Sequence, residues 1–124
     1  MKVAVIGCTH AGTAAILNLK RIYPDSDVTV FERNDNISFL SCGIALYVGG
    51  VVKDAQGLFY CSPDKLKELI VDTKMRHNVE SVDIKGKKIV AKNLETGVEV
   101  EHTFDKLIIT SGSWPIIPRI EGID

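Results

Sequence analysis

The sequence predicts an α/β fold: a Rossmann-type parallel sheet with a crossover helix, joined to a small antiparallel β-meander. Three observations predict it. An apolar, β-branched run at the N-terminus stops at a glycine, a helix-forming stretch then leads to a second such run, and the pattern changes to period two after Met75. At 124 residues with 45% hydrophobic side chains, the chain is long enough for one core and too short for two ordinary domains.

Taken in order, Lys2-Val3-Ala4-Val5-Ile6 reads as a buried parallel strand, because its apolar run is continuous rather than alternating. Residues 12–23 carry good helix formers, with Ala15, Leu19 and Ile22 at helical spacing, and Pro24-Asp25 closes them. Residues 28–32 return as a second strand, completing a βαβ unit. After a polar linker, residues 41–47 start a short helix with Gly49-Gly50 as its stop. Ser62-Pro63-Asp64 supplies an N-cap, a proline at the first helical position and an acidic first turn for a helix over 65–71. Turn chemistry at Lys85-Gly86-Lys87 and Glu95-Thr96-Gly97 separates 89–93 from 98–104 as an antiparallel meander. Residues 107–110 are again continuously apolar and should rejoin the parallel sheet, with Ser111-Gly112-Ser113 and Trp114-Pro115 ending the run.

Between the first strand and helix stands Gly7-Cys8-Thr9-His10-Ala11-Gly12. A dinucleotide-binding fold places its pyrophosphate loop there, one glycine for the tight turn and one for close helix packing. The middle glycine of the usual G-x-G-x-x-G is Thr9, so the fingerprint is imperfect, and a plain strand-to-helix turn is the alternative. Glu32, at the end of the second strand, stands where an acidic side chain accepts hydrogen bonds from a ribose. Arg33 beside it is compatible with a 2′-phosphate, but Glu32 would repel one. A P-loop is excluded because Thr13 occupies the position that motif gives to lysine.

Ser41-Cys42-Gly43 precedes the short apolar helix, and a cysteine at a helix N-terminus feels the positive end of the macrodipole, which favours the thiolate. The alternative is that Cys42 is a small buried hydrophobe. Cys8 and Cys61 have no second cysteine within four residues, which argues against a structural zinc site or a C-x-x-C dithiol. No metal is expected. His77 and His102 lie in alternating segments and read as surface or satisfied residues, whereas His10 projects from the glycine turn itself.

A formal net charge of -1, with no run of five like charges, lacks the basic footprint of a nucleic-acid binder. No apolar run approaches the roughly 20 residues that span a bilayer, and the N-terminal run is shorter than a signal-peptide core. Three widely spaced cysteines suit a reducing compartment, so a cytoplasmic protein with neither nucleic-acid nor membrane partners is expected. In that compartment the sequon Asn36-Ile37-Ser38 carries no glycan.

With these residues in hand, the chain resembles the N-terminal part of the water-forming NADH oxidases, relatives of NADH peroxidase and coenzyme A-disulfide reductase. The resemblance rests on Gly-Cys-Thr-His-Ala-Gly at 7–12, Phe-Glu-Arg-Asn-Asp at 31–35 and Ile-Ser-Phe-Leu-Ser-Cys-Gly-Ile-Ala-Leu at 37–46. It continues through Gly-Leu-Phe-Tyr at 57–60 and Leu-Ile-Ile-Thr-Ser-Gly-Ser-Trp-Pro at 107–115. It implies that residues 1–124 are the FAD-binding domain of a longer, homo-oligomeric oxidoreductase whose NADH site lies outside this chain. Gly7, Cys8, Thr9, His10, Ala11 and Gly12 would lie on the FAD pyrophosphate, Glu32 and Arg33 by the adenosine ribose, and Val79 by the adenine. Thr110, Ser111, Gly112 and Ser113 would close over the flavin, with Ser41 and Cys42 beside it. The implied catalytic residues are Cys42, cycling between thiolate and sulfenic acid, and His10, in an acid or stabilising role. NADH would reduce the flavin, oxygen would take the electrons, and Cys42 would attack the nascent peroxide to release water. The same motifs serve a coenzyme A-disulfide reductase or a peroxidase, and a non-catalytic redox-sensing module is the reading from another class. One departure is Cys61, where the resemblance leads one to expect serine.

Overall fold

The computed structural model describes residues 1–113 and 116–123. The expected strand end at Trp114-Pro115 therefore lies outside the described residues. Among the described residues, seven strands and three α-helices follow in the order β1 (Lys2–Ile6), α1 (His10–Ile22), β2 (Asp27–Glu32), α2 (Ile44–Val48), α3 (Pro63–Glu68), β3 (Val71–Met75), β4 (His77–Asp83), β5 (Lys88–Asn93), β6 (Glu99–Thr103) and β7 (Lys106–Ile109). Short 3₁₀ turns at Ser41–Gly43 and Ala55–Leu58 complete the set.

Two sheets form, as expected. The first is parallel with strand order β3-β2-β1-β7, and the second is the antiparallel meander β4-β5-β6. Register pairs Val3 with Val28 and Val5 with Val30, so their side chains share one face, while Ala4 stands opposite Thr29 on the other. Val3, Val5, Val28, Val30 and Val71 pack with Ile16 of α1 and Leu66 of α3. On the reverse face Ala4 and Phe31 meet Ile89 and Ala91 of β5, with Phe104. The parallel sheet is thus covered on both faces, which explains why β1 and β2 read as continuous apolar runs.

Three expectations need correction. The helix predicted over 65–71 is α3, and it ends at Glu68. Ile70 takes a left-handed φ of 56°, and Val71 pairs with Val28 instead of continuing the helix. Its N-terminal chemistry is as expected, with Pro63 at the start and the Ser62 hydroxyl accepting the Lys65 N–H at 3.2 Å. The second correction is β3, a parallel edge strand along β2 that the sequence pattern conceals behind Asp72, Thr73 and Lys74.

The third concerns the face of α1. Its fully buried residues are Gly12, Thr13, Ile16 and Lys20; of the three read from spacing, Ala15 and Leu19 are half-buried, with Leu19 packed against the core, and Ile22 is exposed. Lys20 is tolerated inside because its ammonium donates to the carbonyls of Pro24 at 2.7 Å and Ser26 at 2.9 Å, just past the helix end. A cation at a helix C-terminus also meets the negative end of the dipole. No helix among the described residues is long and apolar enough to cross a membrane.

Candidate functional site

The turn between β1 and α1 is built by close backbone contacts. Gly7 has φ +87°, and a Cβ there would overlap the Thr110 carbonyl; one on Gly12 would overlap the Gly7 carbonyl and stand 2.8 Å from the Thr110 hydroxyl oxygen. Both positions therefore need glycine. Thr110 reaches back across the sheet, its N–H donating to the Ile6 carbonyl at 2.8 Å and its hydroxyl reaching the Ile6 and Gly7 carbonyls at 3.0 and 2.9 Å.

These contacts shape a cavity of about 440 Å³ at the carboxyl ends of β1, β2 and β7, where open α/β sheets bind ligands. Of the residues singled out in the sequence, it is lined by Gly7, Cys8, Thr9, His10, Glu32, Arg33, Ser41, Val79, Thr110, Ser111, Gly112 and Ser113. Elements as far apart as the glycine turn, the end of β2 and the exit of β7 converge there. Ala11, Gly12 and Cys42 are not among its lining residues: Ala11 and Gly12 lie within α1, and Cys42 is exposed in the 3₁₀ turn that Ser41 opens. The structure adds Ile6, Phe31, Asn34, Phe39, His77 and Asn78 to the wall. His77 and Asn78 open β4 and come to the cavity by the fold-back of the meander, a placement no local sequence signal carries. Asn34 had a local signal, two residues beyond Glu32 in a polar linker.

Glu32 is 3% exposed. Burying a carboxylate costs heavily unless donors compensate, and three do. The Cys8 N–H reaches one oxygen at 2.7 Å, and the Asn34 backbone and side-chain N–H groups reach the other at 2.9 and 2.8 Å. The carboxylate is thereby held at the cavity floor with acceptor capacity to spare for hydroxyl donors. On the same cavity, α1 begins at His10 with no side-chain cap and no acidic residue in its first turn. The first-turn N–H groups of a helix have no intrahelical acceptor, and together with the dipole they attract an anion. A site that combines amide donors with a buried carboxylate suits a ligand carrying both phosphate and hydroxyl groups.

The three cysteines differ in chemistry. Cys8 is fully buried, and burial, reinforced by the nearby Glu32 charge and opposed by the Thr13 hydroxyl at 3.5 Å, pushes its thiol up to about 11. It is a packed thiol, not a nucleophile. Cys61 is half-buried and burial raises its pKa as well. Cys42 alone is exposed. No group of three or more potential metal ligands occurs among the described residues. His77 is satisfied through Nδ1 at 2.6 Å from the Met75 carbonyl, and His102 packs edge-on to Phe31, where burial lowers its pKa.

Comparison with known proteins follows the same outline. The family model for pyridine nucleotide-disulphide oxidoreductases matches residues 1–124. The NADH oxidase of Enterococcus faecalis is 59% identical over 124 residues, covering 100% of this chain and 28% of that protein. The solved water-forming NADH oxidase of Lactobacillus brevis bound to NADH superposes with a TM-score of 0.95 at 55% identity, again over 100% of this chain and 28% of that one. Coenzyme A disulfide reductase of Staphylococcus haemolyticus is 28% identical over 113 residues, 90% of this chain and 26% of that protein. The chain thus spans little more than a quarter of the length of these relatives.

Proposed function

The chain belongs to the pyridine nucleotide-disulphide oxidoreductase family, and from that premise we propose that it is the FAD-binding part of an NADH oxidase that reduces oxygen to water with Cys42 as its redox thiol. The observation that carries the reading is the convergence of the glycine turn, the buried Glu32 carboxylate and the Thr110–Ser113 segment on one cavity at the sheet's carboxyl edge. Those residues fit the cofactor. Gly7 is a position where any side chain would fill the turn, the uncapped start of α1 offers amide donors for a diphosphate, and Glu32 offers acceptors for ribose hydroxyls. The main chain near Val79 would meet the adenine, and Thr110 to Gly112 would lie against the flavin. Bound there, the flavin would carry electrons from NADH to oxygen.

The chain's own contribution is a nucleophile and a proton. Cys42 thiolate attacks one oxygen of a peroxide; an S–O bond forms as the O–O bond breaks, sulfur loses two electrons and becomes a sulfenic acid. The departing hydroxide takes a proton from His10 and leaves as water. Two further electrons and one proton, ultimately the hydride of NADH, with a second proton from solvent return the sulfenic acid to the thiol and release a second water. Burial excludes Cys8 from this role.

Titration of the chain with FAD tests the reading: flavin fluorescence should be quenched and a yellow complex recovered, with binding weakened at least tenfold by Glu32→Ala. Free flavin remaining at high protein concentration would overturn it. The similarity to a coenzyme A disulfide reductase favours one second reading. Oxygen consumption against coenzyme A disulfide reduction, measured on the whole enzyme, separates the two.

A further inference from the structure

The exposed His10 imidazole does not project freely into the cavity mouth. It lies parallel to the phenol ring of Tyr60, centroids 5.7 Å apart and planes 12° from coplanar, within the range of offset aromatic stacking. The Tyr60 hydroxyl also reaches the His10 carbonyl at 3.4 Å.

Tyr60 is itself fixed from the other side. Its neighbours are clipped to the stretch that leads into Ser41 and Cys42. The Leu40 N–H donates to the Leu58 carbonyl at 2.7 Å, and Phe39 forms an isolated antiparallel bridge with Phe59, their rings 5.4 Å apart. The Ser38 hydroxyl accepts the Cys61 N–H at 2.8 Å and donates to the Cys61 carbonyl at 2.6 Å. Tyr60 thus stands between two pinned residues on a strap whose partner runs directly into the thiol segment, and its ring contacts the residue that heads α1. Tyr60 is 47% exposed and belongs to neither hydrophobic core cluster, so filling the interior does not account for it.

We propose that Tyr60 is a positioning residue: stacked on His10, it fixes the imidazole of α1 relative to the neighbouring segment that leads into Cys42. The inference rests on the reading of His10 as proton donor to the peroxide. Without the ring, the His10 side chain would be released to other rotamers, and misplacing a proton donor by an ångström lowers a rate steeply.

The test uses the 124-residue chain without flavin, so that a failure to bind FAD overturns the parent reading and leaves Tyr60 to be decided separately. Cys42 is oxidised with hydrogen peroxide, and the sulfenic acid is trapped with a cyclic dicarbonyl and quantified by peptide mass. His10→Gln and Tyr60→Leu should each slow trapping at Cys42 by about tenfold. The double variant should be no slower than His10→Gln, because the two act as one unit. Tyr60→Phe, which keeps the stack, should restore the rate to within about twofold. In proton NMR the His10 ring resonances should show an upfield ring-current shift that Tyr60→Phe keeps and Tyr60→Leu abolishes. Independent, multiplying effects of the two substitutions, an unchanged rate in Tyr60→Leu or His10→Gln, or His10 resonances indifferent to Tyr60→Leu would overturn the proposal.

Discussion

Helices α1 and α2 each follow a cysteine closely, yet the two segments are opposites. Cys8 lies under the turn before α1, fully buried, and α1 contributes Gly12, Thr13, Ile16 and Lys20 to the interior. Cys42 lies in the 3₁₀ turn before α2, exposed, and α2 buries no residue at all. Ile44, Leu46, Tyr47 and Val48 all face solvent in this chain. The difference teaches that proximity to a helix start does not decide which thiol solvent can reach. Desolvation decides it, by holding Cys8 protonated and leaving Cys42 accessible.

That contrast can be broken by truncating each helix. Ile16→Ala removes a side chain with no exposure from between α1 and the parallel sheet and should cost about 2–5 kcal/mol of unfolding free energy. Leu46→Ala removes one that is 51% exposed and should change it by less than about 0.5 kcal/mol. Urea denaturation measures both. Equal losses would mean that α2 is packed in solution and that the contrast is wrong.

The thiols sharpen it. At pH 8, an alkylating reagent should label Cys42 and leave Cys8 untouched until the chain unfolds, as peptide mass mapping would show. The raised Cys8 pKa also has a thermodynamic sign. The folded state holds this proton more tightly than the unfolded chain, so the stability contribution is complete below the ordinary thiol value of 9.0 and is lost as pH rises towards about 11. The loss should approach roughly 3 kcal/mol across that window, and Cys8→Ala should flatten this part of the pH–stability curve. A curve unchanged by the substitution would assign the alkaline loss elsewhere.

The smallest effect concerns helix ends. Lys20 closes α1 onto two carbonyls, whereas α3 runs out through Ile70, a β-branched residue at φ 56° and 83% exposed. Left-handed backbone costs an L-residue about 1–2 kcal/mol, partly offset by the greater unfolded freedom of glycine. Ile70→Gly should therefore stabilise by about 0.5 kcal/mol, seen as a rise in thermal midpoint; destabilisation would show that the Ile70 side chain makes contacts its exposure conceals.

Much of this was legible in the sequence because the features were local. The run Lys2–Ile6, the glycine turn, Glu32, the meander turns and the return of β7 each announce themselves within a few residues. What escaped depended on partners distant in sequence. Strand β3 is an edge strand with three consecutive polar residues, Asp72, Thr73 and Lys74, and only its pairing with β2 makes it a strand. Lys20 and Thr13 face inward because carbonyls and a cysteine wait for them, which no apolar periodicity can reveal. His77 and Asn78 reach the cavity only through the fold-back of the meander. The protonated state of Cys8 likewise required knowing that the turn is roofed over.

The hydroxyl of Thr110 closes the turn that begins at Gly7, across 103 positions of chain. A contact of such long sequence separation carries a larger loop-closure cost than the local turns of the meander. The glycine turn is therefore completed only by a segment far along the chain. Until β7 docks beside β1, the glycine turn lacks the lid that forbids it a side chain, and the cavity lacks one wall. The shape of the cavity is thus set by the last strand of the sheet as much as by the glycine turn.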